Sequence, residues 1–207
     1  KVFGKTDYAF SVKEDQSNAE DYSSDLIVYK QTGFTPGLEL NTSKAVDVTF
    51  THLLSQLNLT IELRDQFNQD EKKPVTSATV TDVKVDGTLI RSKVNFAADP
   101  ISVQFDGMAS KAITPETVAF TKADKTTDHA TFKYSAIVIP QRVYAGQLCI
   151  KFKVDGTDYI WTGTDNALFE SGKKYELHLL VGKDVVQGGA ISAKPWGEET
   201  ITEKETD

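Results

Sequence analysis

The side chains that could carry out chemistry are few and widely spaced in this 207-residue sequence. Its three histidines, His52, His129 and His178, form neither a HExxH motif nor another spacing typical of metal ligands. No GxSxG elbow, phosphate-binding loop or GxGxxG motif is present. The acidic residues Glu198 and Glu199 lie in a polar tail, without the apolar surroundings that raise a carboxyl pKa. The sequence therefore predicts a protein that is not an enzyme and needs no cofactor.

Two further polar side chains have ordinary structural explanations. His52 follows an alternating segment and precedes two leucines, so we expect a hydrogen bond that fixes the turn; a ligand role or a pH switch is the alternative. Cys149 lies in an alternating segment with Lys151 on the same face, where a cation could lower the thiol pKa. We interpret it as an inert, small apolar residue, and because it is the only cysteine no intrachain disulfide can form.

Tyr159 and Trp161 share one face of the segment DGTDYIWTG. On a solvent face they would form an aromatic platform for a sugar ring, whereas on the core face they would be packing residues. Ile160 is the strongly apolar residue of the opposite face. This arrangement favours the core position and leaves the ligand platform as the alternative.

The elements that must position these side chains are β-strands. Apolar and polar residues alternate over residues 46–50 and 57–63, which is the period of a strand with one buried face. We expect residues 52–57 to form a single helical turn that closes the end of a sandwich. The other predicted strands are 25–29, 77–85, 88–95, 101–105, 117–122, 130–139, 147–154, 158–162 and 174–181.

Turn signals divide these strands into two groups. Asp-Gly pairs at 86–87, 106–107 and 155–156 are typical of tight hairpins, because these residues tolerate positive φ. The stretch 108–117 contains Pro115 and separates two runs of strands, each of about five to seven, enough for a small sandwich. We therefore predict an all-β chain of two tandem antiparallel β-sandwich domains, 1–110 and 111–207, the second with a polar tail.

Composition and charge limit the partners. Hydrophobic residues make up 39% of the chain, which is enough for a core, and the net charge is −7. Nucleic-acid binding needs clustered Lys and Arg, so we predict no nucleic-acid partner. No apolar run approaches the ~20 residues of a membrane helix, and the acidic loop 65–70 lacks the dense oxygen spacing of a calcium site. Because the chain opens at Lys1 and not with Met and a basic-apolar leader, we expect a mature or trimmed form, which leaves open a removed export signal.

Four blocks of sequence carry a family resemblance when they are taken in order. The first is VDVTFTHLLSQLNLTIEL at 46–63, in which a His-Leu-Leu-Ser phrase separates two alternating segments. The others are AIVIPQRVYAGQLCIKFKVDGTDYIWTG at 136–163, FESGKKYELHLLVG at 169–182 and AISAKPWGEE at 190–199. The chain resembles the fimbrillin-like (Mfa-like) surface proteins of Bacteroides-type bacteria over roughly residues 25–196.

The resemblance implies transthyretin-like sandwiches, export as a lipoprotein through the periplasm, and a place in a fimbria at the outer membrane. It also implies assembly with other fimbrial subunits by strand exchange, after a trypsin-like protease removes a leading strand. Main-chain hydrogen bonds would then supply affinity, and alternate side chains would fill pockets. A host or bacterial surface glycan or protein is a further implied partner, and any membrane contact would depend on a lipid anchor outside this chain.

A donor strand should alternate apolar residues, and the C-terminal part of this chain does so poorly. After Trp196 the only large apolar residue is Ile201, and two glycines interrupt the stretch 185–191. The candidate assembly strand is therefore residues 185–196, with Val185, Ile191 and Trp196 as its apolar positions. We expect a tip, accessory or anchor subunit rather than a stalk subunit; the alternative is a glycan-binding surface module built on the aromatic pair.

Overall fold

The computed structural model describes residues 6–30, 48–69 and 72–196. Within these residues helical conformation is confined to two short 3₁₀ turns, Tyr22–Ser24 and Asp65–Phe67, and the prediction of an all-β chain is confirmed. The strands are β1 (Asp7–Ser11), β2 (Ile27–Val28), β3 (Thr51–His52), β4 (Ser55–Leu63), β5 (Val80–Asp86), β6 (Arg91–Asn95), β7 (Ser102–Phe105), β8 (Glu116–Thr121), β9 (Ala130–Val138), β10 (Gln141–Val143), β11 (Cys149–Val154), β12 (Thr157–Thr162), β13 (Ala167–Phe169), β14 (Lys173–Val181), β15 (Val186–Gly188) and β16 (Ser192–Pro195).

The largest sheet has six strands and is organised around β4. β4 pairs antiparallel with β9 along its whole length and parallel with β14 from Gln56 to Leu63. β8 extends the sheet beyond β9, while β15 and β16 both pair with the other edge of β14. Because it has a partner on each side, β4 makes both sets of ladder hydrogen bonds and can be buried in the middle of the sheet.

The alternation seen in the sequence explains why β4 occupies this position. Its inward residues Leu57, Leu59, Ile61 and Leu63 are at most 2% exposed, whereas the residues between them are only partly buried. Successive side chains of a strand point to opposite faces, so one face of β4 contributes an unbroken apolar row to the core. The predicted strand 57–63 is therefore confirmed and begins two residues earlier than predicted.

A second layer is the three-stranded sheet of β12, β11 and β5. Its residues Ile150, Phe152 and Val154 belong to the same buried core cluster as the apolar row of β4, which is consistent with a β-sandwich. The hairpin between β11 and β12 turns at Asp155 and Gly156, whose φ angles are 49° and 81°, as the Asp-Gly signal predicts. Smaller sheets join β1 to β6 and β7, β10 to β13, and β2 to β3.

Two local predictions are wrong. Residues 52–57 do not form a helical turn, because His52 ends β3 and Ser55 already begins β4. In the predicted strand 46–50, residues 46–47 lie outside the described residues, and residues 48–50 belong to no strand. Val48 and Phe50 are 44% and 59% exposed, so their alternation does not mark a buried face. At residues 52–57 the pairing of β3 with β2 and of β4 with β9 overrode the local helical pattern.

The sheets do not follow the predicted division into residues 1–110 and 111–207. β4 comes from the first range but lies between β9 and β14 of the second. β5, also from the first range, pairs with β11 of the second. The hydrogen-bonded sheets and the core thus join residues from both ranges. The division into two domains, and their transthyretin-like character, remain predictions.

Candidate functional site

The C-terminal segment proposed for assembly is docked on its own chain. β15 pairs with Leu179–Val181 of β14, and β16 pairs with residues 173–176 of the same strand. The two short strands therefore share one edge of β14, separated by the irregular residues 189–191. Val185 is 44% exposed, whereas Ile191 is partly buried against the core. Every residue of β16 is exposed, so this strand is held mainly through its backbone.

Trp196 secures the end of this segment. Its ring stacks on the imidazole of His52, with ring centroids 3.9 Å apart and planes inclined by 3°. Its backbone N–H donates to the carbonyl of Gly172 at 2.9 Å. On the other side, His52 Nδ1 is 3.0 Å from Oδ1 of Asp25. The expected hydrogen bond of His52 at a strand end is confirmed, and the stack with Trp196 is a contact that local sequence did not predict.

Tyr159 is a packing residue rather than part of an exposed platform. Its ring stacks on Phe152, with centroids 5.7 Å apart, and its hydroxyl donates to the carbonyl of Lys183 at 3.0 Å. Burial raises the pKa of the Tyr159 hydroxyl above its ordinary value. Ile160, on the opposite face, is 56% exposed, in agreement with the interpretation that the aromatic face points toward the core.

Trp161 lies between two glycines whose lack of a side chain makes room for the indole. A Cβ at Gly188 would lie 2.1 Å from indole Nε1, and a Cβ at Gly163 would lie 3.3 Å from Cη2. β15 can therefore approach the edge of the indole only because residue 188 is glycine. The glycine that interrupts the apolar pattern of the C-terminal segment thus has a packing role.

A groove of about 680 Å³ opens beside Trp161. Its walls come from β12, from the connection between β12 and β13, and from the C-terminal segment around Ile191. The outer edge of β12 has no partner strand within the described part of the chain, and β8 likewise ends the large sheet. The groove thus lies along an open sheet edge, next to the segment that is docked on β14.

Two of the remaining candidate histidines share one carboxylate partner. Both His129 and His178 contact the carboxylate of Glu62, His178 Nε2 at 2.7 Å from Oε2. Partial burial acts to raise the pKa of Glu62, but hydrogen bonds and charges from the two histidines outweigh it, so the pKa lies below its ordinary value. No three His, Cys, Asp or Glu side chains in the described ranges are arranged to hold a metal ion. No helix in the same ranges is long and apolar enough to cross a membrane.

Cys149 lies near a lysine whose ammonium is paired with a carboxylate. The ammonium of Lys151, which the sequence places on the same face, lies 2.6 Å from Oδ2 of Asp86 instead. The Sγ atom of Cys149 is 3.4 Å from the hydroxyl of Thr162. These contacts agree with the interpretation of Cys149 as an inert strand residue.

Comparisons with known proteins come from a family model and from solved structures. A family model described as fimbrillin-like matches residues 1–196, whereas no curated protein matches the chain. The chain is similar to a candidate cell adhesion protein of Bacteroides uniformis, with 16% identity, a TM-score of 0.60, and coverage of 95% of this chain and 68% of that one. A similarly described protein of Bacteroides ovatus is 13% identical to this chain with a TM-score of 0.49. The match covers 84% of this chain and 61% of that protein. The fimbrial anchor protein Mfa2 of Porphyromonas gingivalis is 8% identical to this chain with a TM-score of 0.41. The match covers 95% of this chain and 68% of Mfa2.

Proposed function

The chain belongs to the fimbrillin-like family, and on this premise we propose that it is a structural and adhesive subunit of a cell-surface fimbria. The observation that carries the proposal is the family match over residues 1–196. Membership implies a place in a fimbrium at the cell surface and a structural or adhesive rather than enzymatic family. The other subunits of the fimbria are the proposed partners, and a lipid anchor outside this chain would join it to the outer membrane.

We propose that residues 185–196 are the strand that this subunit exchanges. In the isolated chain they cover the edge of β14 as β15 and β16, through only three and four paired residues. The exposed side chains of β16 bury little apolar surface, so its detachment costs much less than removal of an internal strand. The released segment would pair with the edge of a neighbouring subunit, and the vacated edge of β14 would accept an equivalent strand.

The same segment favours a tip, accessory or anchor position over a place in the repeating stalk. A stalk subunit needs a donor strand that fills a long row of pockets. Here the two short strands are separated by residues 189–191, and Ile191 is the apolar side chain of that connection that packs against the core. A donor with so few apolar positions suits a single junction better than a long polymer.

A reversible disulfide between β14 and β16 tests whether residues 185–196 are exchanged. Glu176 and Ser192 are paired across β14 and β16, at a spacing that suits a disulfide. With Cys149→Ser to remove the free thiol, the double variant Glu176→Cys/Ser192→Cys should fail to join fimbrial subunits when oxidised and should join them again when reduced. Incorporation is measured on gels after trypsin treatment of the precursors. The single variant Ser192→Cys in the same background is the control.

Two gel patterns would contradict the proposal. If the oxidised variant joins subunits as well as the reduced one, residues 185–196 are not the exchanged strand. If the chain alone forms long ladders of multimers after trypsin treatment, it is a stalk subunit and the assignment to a tip, accessory or anchor position is wrong.

A further inference from the structure

The groove beside Trp161 has two chemically different walls. Apolar side chains, including Trp161, Leu148 and Ile191, form one part of the lining. Polar side chains of the connection between β12 and β13 form the other part: Thr164, Asp165 and Asn166. A volume of about 680 Å³ lies within the range of small-molecule sites, which hold a ligand on apolar surface and orient it with a few polar groups.

Several polar atoms of the lining have unused hydrogen-bonding capacity. The indole Nε1 of Trp161 makes no hydrogen bond with another described residue, although Gly188 is close to it. Asn166 Oδ1 accepts from the backbone N–H of Ala145 at 3.0 Å, which leaves the amide hydrogens of that side chain as donors. Oδ2 of Asp165 accepts only a long bond of 3.3 Å from Thr164, so most of the acceptor capacity of the carboxylate is free.

An aromatic ring, a carboxylate and a carboxamide around one groove suit a sugar. The C–H face of a pyranose packs on the flat apolar indole, and its hydroxyls both donate to a carboxylate and accept from an amide. Asp165 is the one charged residue among the described residues that line the groove. A groove with a single carboxylate and no Lys or Arg repels an acidic sugar and accommodates a neutral one.

We propose that this groove is a binding site for a neutral saccharide, with Trp161 under the ring and Asp165 and Asn166 on its hydroxyls. One wall of this site is formed by residues 185–196, so the complete groove is present while that segment is docked on β14, as it is in the isolated chain. The site differs from the aromatic pair suggested by the sequence, because Tyr159 is packed on Phe152 and only Trp161 faces the groove. Adhesion to a surface coated with neutral glycan would be the activity that it supports.

Tryptophan fluorescence measures the binding directly. The chain has two tryptophans, and Trp196→Phe leaves Trp161 as the only one while keeping an aromatic ring against His52. This variant is titrated as a monomer with lactose, cellobiose, maltotriose and diacetylchitobiose, and with sialyllactose and digalacturonate as acidic probes. We expect a saturable change in Trp161 emission with at least one neutral probe and none with the acidic probes.

Two substitutions in the connection after β12 assign the contacts. Asp165→Ala and Asn166→Ala should each weaken binding of the neutral probe, by about tenfold for the carboxylate, which is typical for loss of a hydrogen bond to a charged group. Asp124→Ala, in an exposed loop elsewhere, is the matched control and should leave the affinity unchanged. Melting curves of all variants check that each is folded.

Three results would overturn the proposal: no saturable response to any neutral probe, equal responses to the acidic probes, or unchanged affinity in both groove variants. A fourth result would also overturn it, namely binding of an extended peptide in place of a sugar, since the open edge of β12 could accept a strand. If an alternating Val-Thr heptapeptide saturates the Trp161 signal and the sugars do not, the groove accepts a strand instead. All measurements use the monomer, so failure here leaves the assembly proposal intact.

Discussion

The central strand β4 and the C-terminal strands β15 and β16 belong to one six-stranded sheet, but they are held in it differently. β4 is hydrogen-bonded on both sides and buries an apolar row whose members are at most 2% exposed. β15 and β16 pair only with β14, over three and four residues, and most of their side chains are exposed. We therefore expect stability to be concentrated in the centre of the sheet and the C-terminal edge to open more readily than the rest.

The contrast also explains where an assembling protein can place an exchangeable element. A strand that is removed and replaced must leave a folded remainder, and an internal strand such as β4 cannot satisfy that condition. We expect the C-terminal edge to satisfy it, with Trp196 contributing an aromatic contact through the stack on His52. Four predictions test this contrast.

The largest effect is expected in the centre of the sheet. Leu59→Ala removes a side chain that is 2% exposed and leaves a cavity, so it should lower the free energy of unfolding by about 2–5 kcal/mol. Val185→Ala, at a residue that is 44% exposed beside β15, should change it by less than about 0.5 kcal/mol. Urea unfolding measures both, and similar losses in the two variants would remove the distinction between the regions.

A smaller effect should distinguish the two glycines of the C-terminal segment. Gly188→Ala places a Cβ 2.1 Å from the Trp161 indole and forces β15 or the ring to move, at a cost of about 1–3 kcal/mol. Gly189→Ala meets no atom within 4 Å and is the matched control. Thermal unfolding compares the two. Equal melting temperatures would show that the indole and β15 are not in close contact.

The stack on His52 should affect the edge more than the fold. Trp196→Ala removes an aromatic pair worth about 0.5–1.5 kcal/mol. We expect faster hydrogen exchange of the β16 amides, with little change in β4, whereas Trp196→Phe retains a ring and should exchange more slowly than the alanine variant. Unchanged exchange in β16 after Trp196→Ala would mean that the backbone alone holds this strand.

The smallest effect concerns the charge of Glu62, a partly buried side chain on the face of β4 opposite the apolar row. The folded-state pKa of Glu62 lies below its ordinary value of 4.5, so its carboxylate stabilises the folded state above that pH. This contribution is lost as the pH falls through the lower folded-state pKa. Glu62→Gln should therefore reduce the fall in melting temperature between about pH 5 and about pH 3. If the melting temperatures of wild type and variant fall in parallel with pH, the contacts of Glu62 with His129 and His178 do not contribute to stability.

Strands with strong alternation could be predicted from local sequence, and those without it could not. The predicted strands 57–63, 130–139 and 158–162 correspond closely to β4, β9 and β12. The unpredicted strands β3, β10, β13, β15 and β16 have two to four residues each, too few for a period to be recognised. β1 was not predicted either, and none of its five residues is fully buried. The wrong prediction at residues 52–57 has the same origin, because three leucines fit a helical turn and a strand equally well.

The candidate site was accessible to sequence reasoning only in part. Ile160 on the opposite face correctly indicated that Tyr159 and Trp161 point inward. The Thr-Asp-Asn run after the aromatic strand was a signal for the polar wall, but its partner wall comes from a segment more than twenty residues later. The role of Gly188 was hidden because a glycine interrupts an apolar pattern whether or not an indole lies against it.

The amino-acid sequence by itself determined that this chain forms strands, that β4 buries one face, and which family it resembles. These properties depend on residues close together in the chain, where side-chain alternation already specifies the buried face. Only the tertiary structure decided that β14 lies parallel to β4, that Trp196 stacks on His52, and that a groove opens beside Trp161. Those contacts join residues far apart in the sequence, and because apolar burial is not directional, local pattern leaves the choice of partner open.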